Sequence, residues 1–392
     1  MSDKWPRRTL STIASRIESG GTPSRDVPTY WGDPIPWATP GELTKHRGKY
    51  LEGTHEKITT AGLSSSGARL LPANSLMVTT RATLGTVALA GIPMATNQGF
   101  KSLVFNDGVD PSFYYHLFGT LSTELSRRAS GTTFLEISSK EFANIVVPVP
   151  PLQQQRKIAE ILDTVDDSIH LTEGSIEKLE LIRTGTIDRL FSRSSSWKST
   201  SLHEIVKPSS PICYGIVQVG PHIEGGIPVV MIGNVRRREF GQQLHRTSRS
   251  IDIAYRRSRV LPGDLVLSIK ATIGMVAVIP STYQGNISRD LARIRLIPGI
   301  EPEYMRIFFE SNAGRRALEL AVVGTTRAEV SIGILKKITV PVAPISDQTR
   351  IIRIICKQEE LLDGERATLA KLHQIKRGLL EDLLTGRVRV KT

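Results

Sequence analysis

Two stretches of the chain carry their seam positions at alternating steps of four and three. The first is Ile158, Leu162, Val165, Ile169, Thr172, Ile176 and Leu179; the second is Ile351, Ile355, Gln358, Leu362, Glu365, Leu369 and Leu372. This is coiled-coil spacing, with a few polar interruptions. Pro148, Pro150 and Pro151 precede the first stretch and Pro341 and Pro344 the second. Proline stops a strand and fixes where a following helix begins. The pattern predicts long helices over 152–196 and 345–392. Residues 152–192 as one helix would measure about 60 Å at 1.5 Å per residue. Gly174 and Gly364 cost such helices roughly 1 kcal/mol each relative to Ala and need not break them. Neither seam can bury itself, so the two helices are expected to pack on each other, antiparallel, as a coiled coil with pseudo-twofold symmetry. Two separate hairpins, bent at Gly174 and Gly364 and each folded on its own domain, fit the same pattern.

The rest of the chain reads as short strands and turns. Leu76–Thr80, Thr86–Ala90 and Lys101–Phe105 are strand-like in residues 1–151, and Leu265–Ile269, Met275–Ile279 and Ala292–Leu296 in residues 197–344. One helix stands out in each part, Ser112–Ala129 and Glu303–Leu320. Each part is an α+β globule of ordinary domain size. The expected fold is therefore two such domains separated by the long helices.

The two halves are copies. Gly131-Thr-Thr-Phe-Leu-Glu-Ile-Ser recurs as Gly324-Thr-Thr-Arg-Ala-Glu-Val-Ser, and Ile145-Val-Val-Pro-Val-Pro-Pro as Ile338-Thr-Val-Pro-Val-Ala-Pro, both at an offset of 193. That offset holds through the helices, pairing Gln155 with Gln348 and Ile182 with Ile375. Upstream the match is looser, with Arg81-Ala-Thr-Leu-Gly facing Lys270-Ala-Thr-Ile-Gly at an offset of 189. Copies that keep one part and diverge in another suggest a shared mechanical task and an individual recognition task.

Charge narrows the class of partner. The chain of 392 residues has 51 Lys and Arg against 38 Asp and Glu, a net +13. Residues 197–344 alone carry +9, residues 1–151 carry +3, and the two helical segments −2 and +3. A polyanion such as nucleic acid is the expected partner, touched by the globules rather than along the helices. Two cysteines and no apolar leader fit a reducing cytoplasm, and no run is apolar and long enough to span a bilayer. No nucleotide-binding loop, H-E-x-x-H pair or ligand-like histidine spacing is present, so no catalytic site, cofactor site or metal site is expected.

The candidate DNA-contacting residues follow the basic loops. Arg236, Arg237 and Arg238, with Arg256 and Arg257, form the densest cluster; Lys45 and Arg47 hold a comparable place in the first copy. Arginine fits phosphate and the guanine edge through its planar fork. Arg81 and Lys270 sit on matching turns between strands. Asn97, Gln98 and Lys101, with Asn286 and Arg289 opposite, add amide and basic donors, although a turn amide is the commoner use of such asparagines. Thr132, Thr133, Thr325, Thr326 and Arg327 lie in the repeated small polar loops, which suit either phosphate contact through backbone amides or a tight turn.

Several motifs resemble the specificity subunit of type I restriction–modification systems. Ser19-Gly-Gly-Thr-Pro with Tyr30-Trp31-Gly and Ile35-Pro-Trp is similar to the start of that family's target recognition domain. Ile145-Val-Val-Pro-Val-Pro-Pro-Leu-Gln-Gln-Gln-Arg-Lys-Ile-Ala resembles the start of its conserved helix; Tyr214-Gly-Ile and Gly226-Ile-Pro-Val-Val resemble the opening of its second recognition domain. Leu379-Leu-Glu-Asp-Leu-Leu-Thr-Gly-Arg-Val-Arg-Val resembles its C-terminus, whereas Ile345-Ser-Asp-Gln-Thr-Arg departs from the usual start of the second helix. The resemblance implies target recognition domains over 1–151 and 197–344, each reading half of a bipartite site on double-stranded DNA, with helices that set the spacing. It also implies docked methyltransferase subunits, two in number, and restriction (translocase) subunits, this chain being non-catalytic. The residues alone leave open a methylation-only system, a self-sufficient methyltransferase or nuclease, and a coiled-coil scaffold that binds no DNA.

Overall fold

The computed structural model describes residues 5–81, 83–130, 136–192, 197–241, 243–322 and 328–391. It contains two compact units. One comprises residues 1–173 and 368–392, the other 174–367.

In the first unit a five-stranded sheet runs Ala14–Ser19, Phe100–Phe105, Leu76–Thr79, Val87–Ala90, Tyr50–Leu51, with only the last pair parallel. All four residues of Leu76–Thr79 are buried, as befits a central strand covered on both faces. A three-stranded sheet places Trp31–Ala38 between Lys57–Ile58 (antiparallel) and Ala95–Thr96 (parallel). The second unit repeats this plan. Its four-stranded sheet runs Cys213–Tyr214, Leu291–Ile294, Leu265–Ser268, Val276–Val278, and its three-stranded sheet places Ile227–Val230 between His245–Thr247 (antiparallel) and Asn286–Ile287 (parallel). In each unit a two-stranded ribbon leads into a long helix: Arg7–Thr9 with Val146–Pro148, and Lys198–Ser201 with Thr339–Val342.

The single helices expected at 112–129 and 303–320 are each split. Pro111–Gly119 is followed by Ser122–Arg128, and Pro302–Glu310 by Asn312–Leu320. The second break has a clear cause. The Ser311 hydroxyl accepts from the Gly314 amide at 3.1 Å, restarting the helix as an N-cap. A Cβ on Gly314 would lie 2.1 Å from the Phe308 carbonyl oxygen, so only glycine permits so tight a turn.

The long helices span Leu152–Ser192 and Ile345–Leu384 without interruption. Gly174 and Gly364 lie inside them, so neither bends a hairpin. The second helix stops before residue 392; Gly386, at φ 73°, turns the chain, and the Arg389 guanidinium then lies 4.7 Å from the centre of the Trp5 ring. Gln155 and Gln348 fasten the helix starts. Each is buried and donates to a carbonyl five residues back, Pro150 at 2.7 Å and Ala343 at 2.8 Å. Each also accepts a backbone amide from its globule, that of Asp110 and that of Glu301.

Both units build their cores on both helices. In the first, Trp5, Phe113, Tyr114 and Phe142 pack with Ile158 and Leu162 of the first helix and with Leu383 and Leu384 of the second. In the second, Tyr304, Phe308 and Phe309 pack with Ile351 and Ile355 of the second helix and with Ile187 and Phe191 of the first. Among the seam residues, Ile158, Leu162, Ile169, Ile351, Ile355 and Leu362 are buried, and Val165, Ile176, Leu179, Leu369 and Leu372 half-buried.

Candidate nucleic-acid interface

The matching turns of the two sheets carry matching ion pairs. Arg81 Nε lies 3.9 Å from Glu136, and Lys270 Nζ 3.0 Å from Glu329. These acids are the glutamates of the repeated Gly-Thr-Thr-x-x-Glu motif, and each is also joined to its basic partner by a backbone bridge. The repeat therefore preserves a clasp between a turn and the segment that follows the helix pair of the globule. Thr132, Thr133, Thr325, Thr326 and Arg327 lie outside the described residues.

Two residues expected at the surface are buried. Asn286 has no exposed area. Its Oδ1 accepts from Ser258 at 2.7 Å, and its Nδ2 donates to Asp252 at 3.0 Å and to the Tyr255 carbonyl at 3.2 Å. A fully bonded interior amide has no edge to offer a base, so Asn286 is structural. Lys101 is 4% exposed, with Nζ 3.8 Å from Glu136; burial lowers its pKa against the pull of that carboxylate. Asn97 spends its Oδ1 on the Gly99 amide at 2.8 Å, the turn role that competed with base contact. Gln98 is exposed and accepts from Thr22.

The other candidates stand at the surface. Lys45 and Arg47 follow the short helix Pro40–Leu43. Arg236 and Arg237 occupy the last turn of Ile232–Arg237, Arg256 and Arg257 the turn Arg256–Ser258, and Arg289 lies 3.6 Å from its neighbour Asp290. Arg237 reaches Glu239 at 3.7 Å, and Arg236, Arg256 and Arg257 make no ion pair among the described residues. Arg238 ends its helix in the left-handed conformation, at φ 54°. Its guanidinium turns away from its two neighbours, reaching Glu310 at 3.1 Å and Glu359 at 3.2 Å.

That contact belongs to a buried charge cluster which the sequence reading missed. Arg306, 3% exposed, donates to Glu310 at 2.9 Å and Glu359 at 3.0 Å and also meets Glu303. Arg183 of the first helix meets Glu310 and reaches Glu359 of the second at 2.6 Å. Burial pushes the Glu359 carboxyl up, but the Arg306 and Arg238 charges outweigh it and hold the pKa at about 2. The first unit has a counterpart. Asp163 binds Lys49 Nζ at 2.5 Å and buried His116 at 2.8 Å, and Asp166 binds Lys376 at 2.5 Å. At the offset of 193, Asp166 aligns with Glu359 and Arg183 with Lys376. The duplicated acid and base at those positions were the available signal. Both clusters tie a basic loop, through Lys49 or Arg238, to a long helix. Arg25 was missed as well. Its guanidinium lies 3.6 Å from the centre of the Trp31 ring and forms a bidentate pair with Glu56.

No group of three metal-ligating side chains occurs among the described residues. What the two units do share is a plan, and the plan has a sequence signature. The profile of the type I restriction modification DNA specificity domain matches residues 2–181 and again 224–374. The chain belongs to this family. Each specificity-domain match begins in one globule and runs into the long helix after it. The specificity subunit of a Methanocaldococcus jannaschii type I restriction enzyme, MjaIX, is 33% identical over 180 residues, 45% of this chain and 41% of that protein. The Escherichia coli EcoBI specificity subunit is 25% identical over 330 residues, covering 76% of this chain and 70% of the relative. Two solved structures share the fold over nearly the whole length. One is a chain from a study of assembly and conformational transition in a type I restriction–modification system, with a TM-score of 0.61 at 19% identity and 99% of each chain covered. The other is the specificity subunit from M. genitalium, with a TM-score of 0.59 at 15% identity, covering 98% of this chain and 97% of that one.

Proposed function

We propose that the chain is the DNA-reading subunit of a type I restriction–modification enzyme and carries no catalytic centre of its own. The observation that carries this reading is the double match to the DNA specificity domain, on two globules whose main sheets share the order of four strands. Residues 1–151 and 197–344 act as target recognition domains, each reading one half of a bipartite duplex site. Exposed Lys45, Arg47, Arg236, Arg237, Arg256, Arg257 and Arg289 supply phosphate and groove contacts. Phosphate contacts give most of the affinity and its salt dependence; the fewer base contacts give sequence.

The long helices Leu152–Ser192 and Ile345–Leu384 form an antiparallel coiled coil that sets half-site spacing. Partner numbers that fall as helix numbers rise support this: Asp166 with Lys376 in one unit, and Glu180 with Arg366 and Thr186 with Gln358 in the other. Methyltransferase subunits, two per chain, dock on the outer helix faces. Leu171 and Leu181, 73% and 74% exposed on the first helix, are apolar side chains that such a partner would cover. Restriction subunits join that complex, in the cytoplasm. No helix among the described residues is long and apolar enough to cross a membrane.

Exchange of residues 197–344 for the matching segment of another family member tests the reading. Methylation mapping with the assembled enzyme should show one half-site replaced and the other kept. Loss of both half-sites, or no change in either, overturns it.

A further inference from the structure

The strand Leu291–Ile294 alternates. Ala292 and Ile294 join one core, and Arg293 points to the opposite face, as Arg295 does just beyond the strand. Arg293 is 3% exposed. It donates from Nη1 to the Ser210 hydroxyl at 2.5 Å, and from Nη2 to the Pro211 carbonyl at 2.8 Å and to Cys213 Sγ at 3.4 Å. Its buried Nε has no partner, and no carboxylate lies within ion-pair distance among the described residues. The Cys213 thiol donates to the Arg257 carbonyl at 3.3 Å.

A guanidinium cannot shed its proton, and an unpaired buried charge is among the most costly features a fold can hold. The neighbouring acids are already engaged. Asp264 takes Arg295 in a bidentate pair at 2.7 and 2.6 Å, and Asp252 takes Arg259. Arg256 and Arg257 stand at the rim without ion pairs. These five arginines and Ser210 line one cavity of about 350 Å³. Three of the five positive charges are unmatched there. The first unit differs at this position. Ser102 pairs with Met77 at the sheet position where Arg293 pairs with Val266.

We propose that this pocket binds a phosphate group, with Arg293 at its floor and Arg256 and Arg257 at its mouth. Three unmatched arginine forks around one small cavity suit a tetrahedral oxyanion, which accepts paired N–H donors on several edges. A phosphodiester of bound DNA and free inorganic phosphate share this chemistry, so the site is defined by the group and not by the source.

Thermal melting of the full chain in inorganic phosphate, against chloride at equal ionic strength, reads the free-ion arm. Duplex affinity over a range of salt concentrations reads the other arm. The exposed pair R256A/R257A is the main variant because its folding is not at risk; R293Q is the second. If the source is free phosphate, phosphate raises the melting temperature saturably, R256A/R257A weakens that response about tenfold or more, and R293Q, which alters no exposed arginine, leaves duplex affinity unchanged. If the source is DNA, R293Q as well as R256A/R257A lowers the slope of log affinity against log salt by about 1, as expected for one lost phosphate contact in the pocket. The proposal fails if phosphate acts no differently from chloride, or acts equally on wild type and variants, while R293Q leaves duplex affinity and slope unchanged. Absence of duplex binding by wild type would instead overturn the DNA-reading assignment and leave the free-ion arm to decide the pocket.

Discussion

Glu359 shows how much one side chain can hold in this protein. It accepts from Arg183, Arg238 and Arg306, and its removal leaves three cations facing Glu303 and Glu310. Breaking a buried pair by removing one partner costs about 3–5 kcal/mol, and E359Q should lower the melting temperature accordingly. The effect has a pH window. The carboxyl is held at about 2 when folded and sits at 4.5 otherwise, so its contribution is complete above about pH 5 and is lost as pH falls from there toward 2. Urea unfolding of wild type and E359Q should therefore converge on acidification and differ by a constant amount at neutral pH. Such residues were hard to read from sequence. Asn286 and Exposed Arg236 look equally polar on paper, and only the packing of Tyr255, Asp252 and Ser258 around the amide separates an interior hydrogen-bond hub from a surface donor. Arg293 hid within an apolar strand, where its regular alternation with Ala292 and Ile294 gave no hint of burial.

At the scale of elements, periodicity carried well where it was long. Every seam position named from the four-and-three spacing is buried or half-buried, while Leu171, Leu181 and Leu361, off that spacing, are exposed. The strands at 76–80 and 265–269 were legible for a similar reason, a compact apolar run bounded by turns. The split of the helix expected at 303–320 was not, because it depends on a hydroxyl reaching an amide three residues on, within an otherwise helical pattern. G314A tests that explanation. Its Cβ would collide with the Phe308 carbonyl, so the variant should destabilise the second unit by about 1–3 kcal/mol, the range for overpacking a tight site. Chemical denaturation monitored by Trp197, whose ring packs against Phe191 and Tyr304, reads the loss.

Across the whole molecule, duplication was visible in the sequence, while the differences between copies needed coordinates. The offset of 193 aligns the charge clusters, yet one is built on Arg306 and the other on His116. Arg293 has Ser102 at the corresponding sheet position of the other copy. Divergence thus reached beyond the exposed basic loops into interior positions, where sequence pattern says least about environment.

The core that holds Trp5 and Phe113 also holds Leu383 and Leu384, with Leu379 and Leu380 against it. During synthesis, the interior built on residues 5–173 is sealed only after residues 379–384 have followed them out of the ribosome. A nascent chain stopped after residue 367 should expose its early half to protease, and extension through residue 391 should protect it; pulse proteolysis of arrested chains would time that closure. The opening half of this polypeptide is thus hostage to residues far along the chain, so a frameshift just before Leu379 would cost the cell the first globule while leaving residues 174–367 of the second intact.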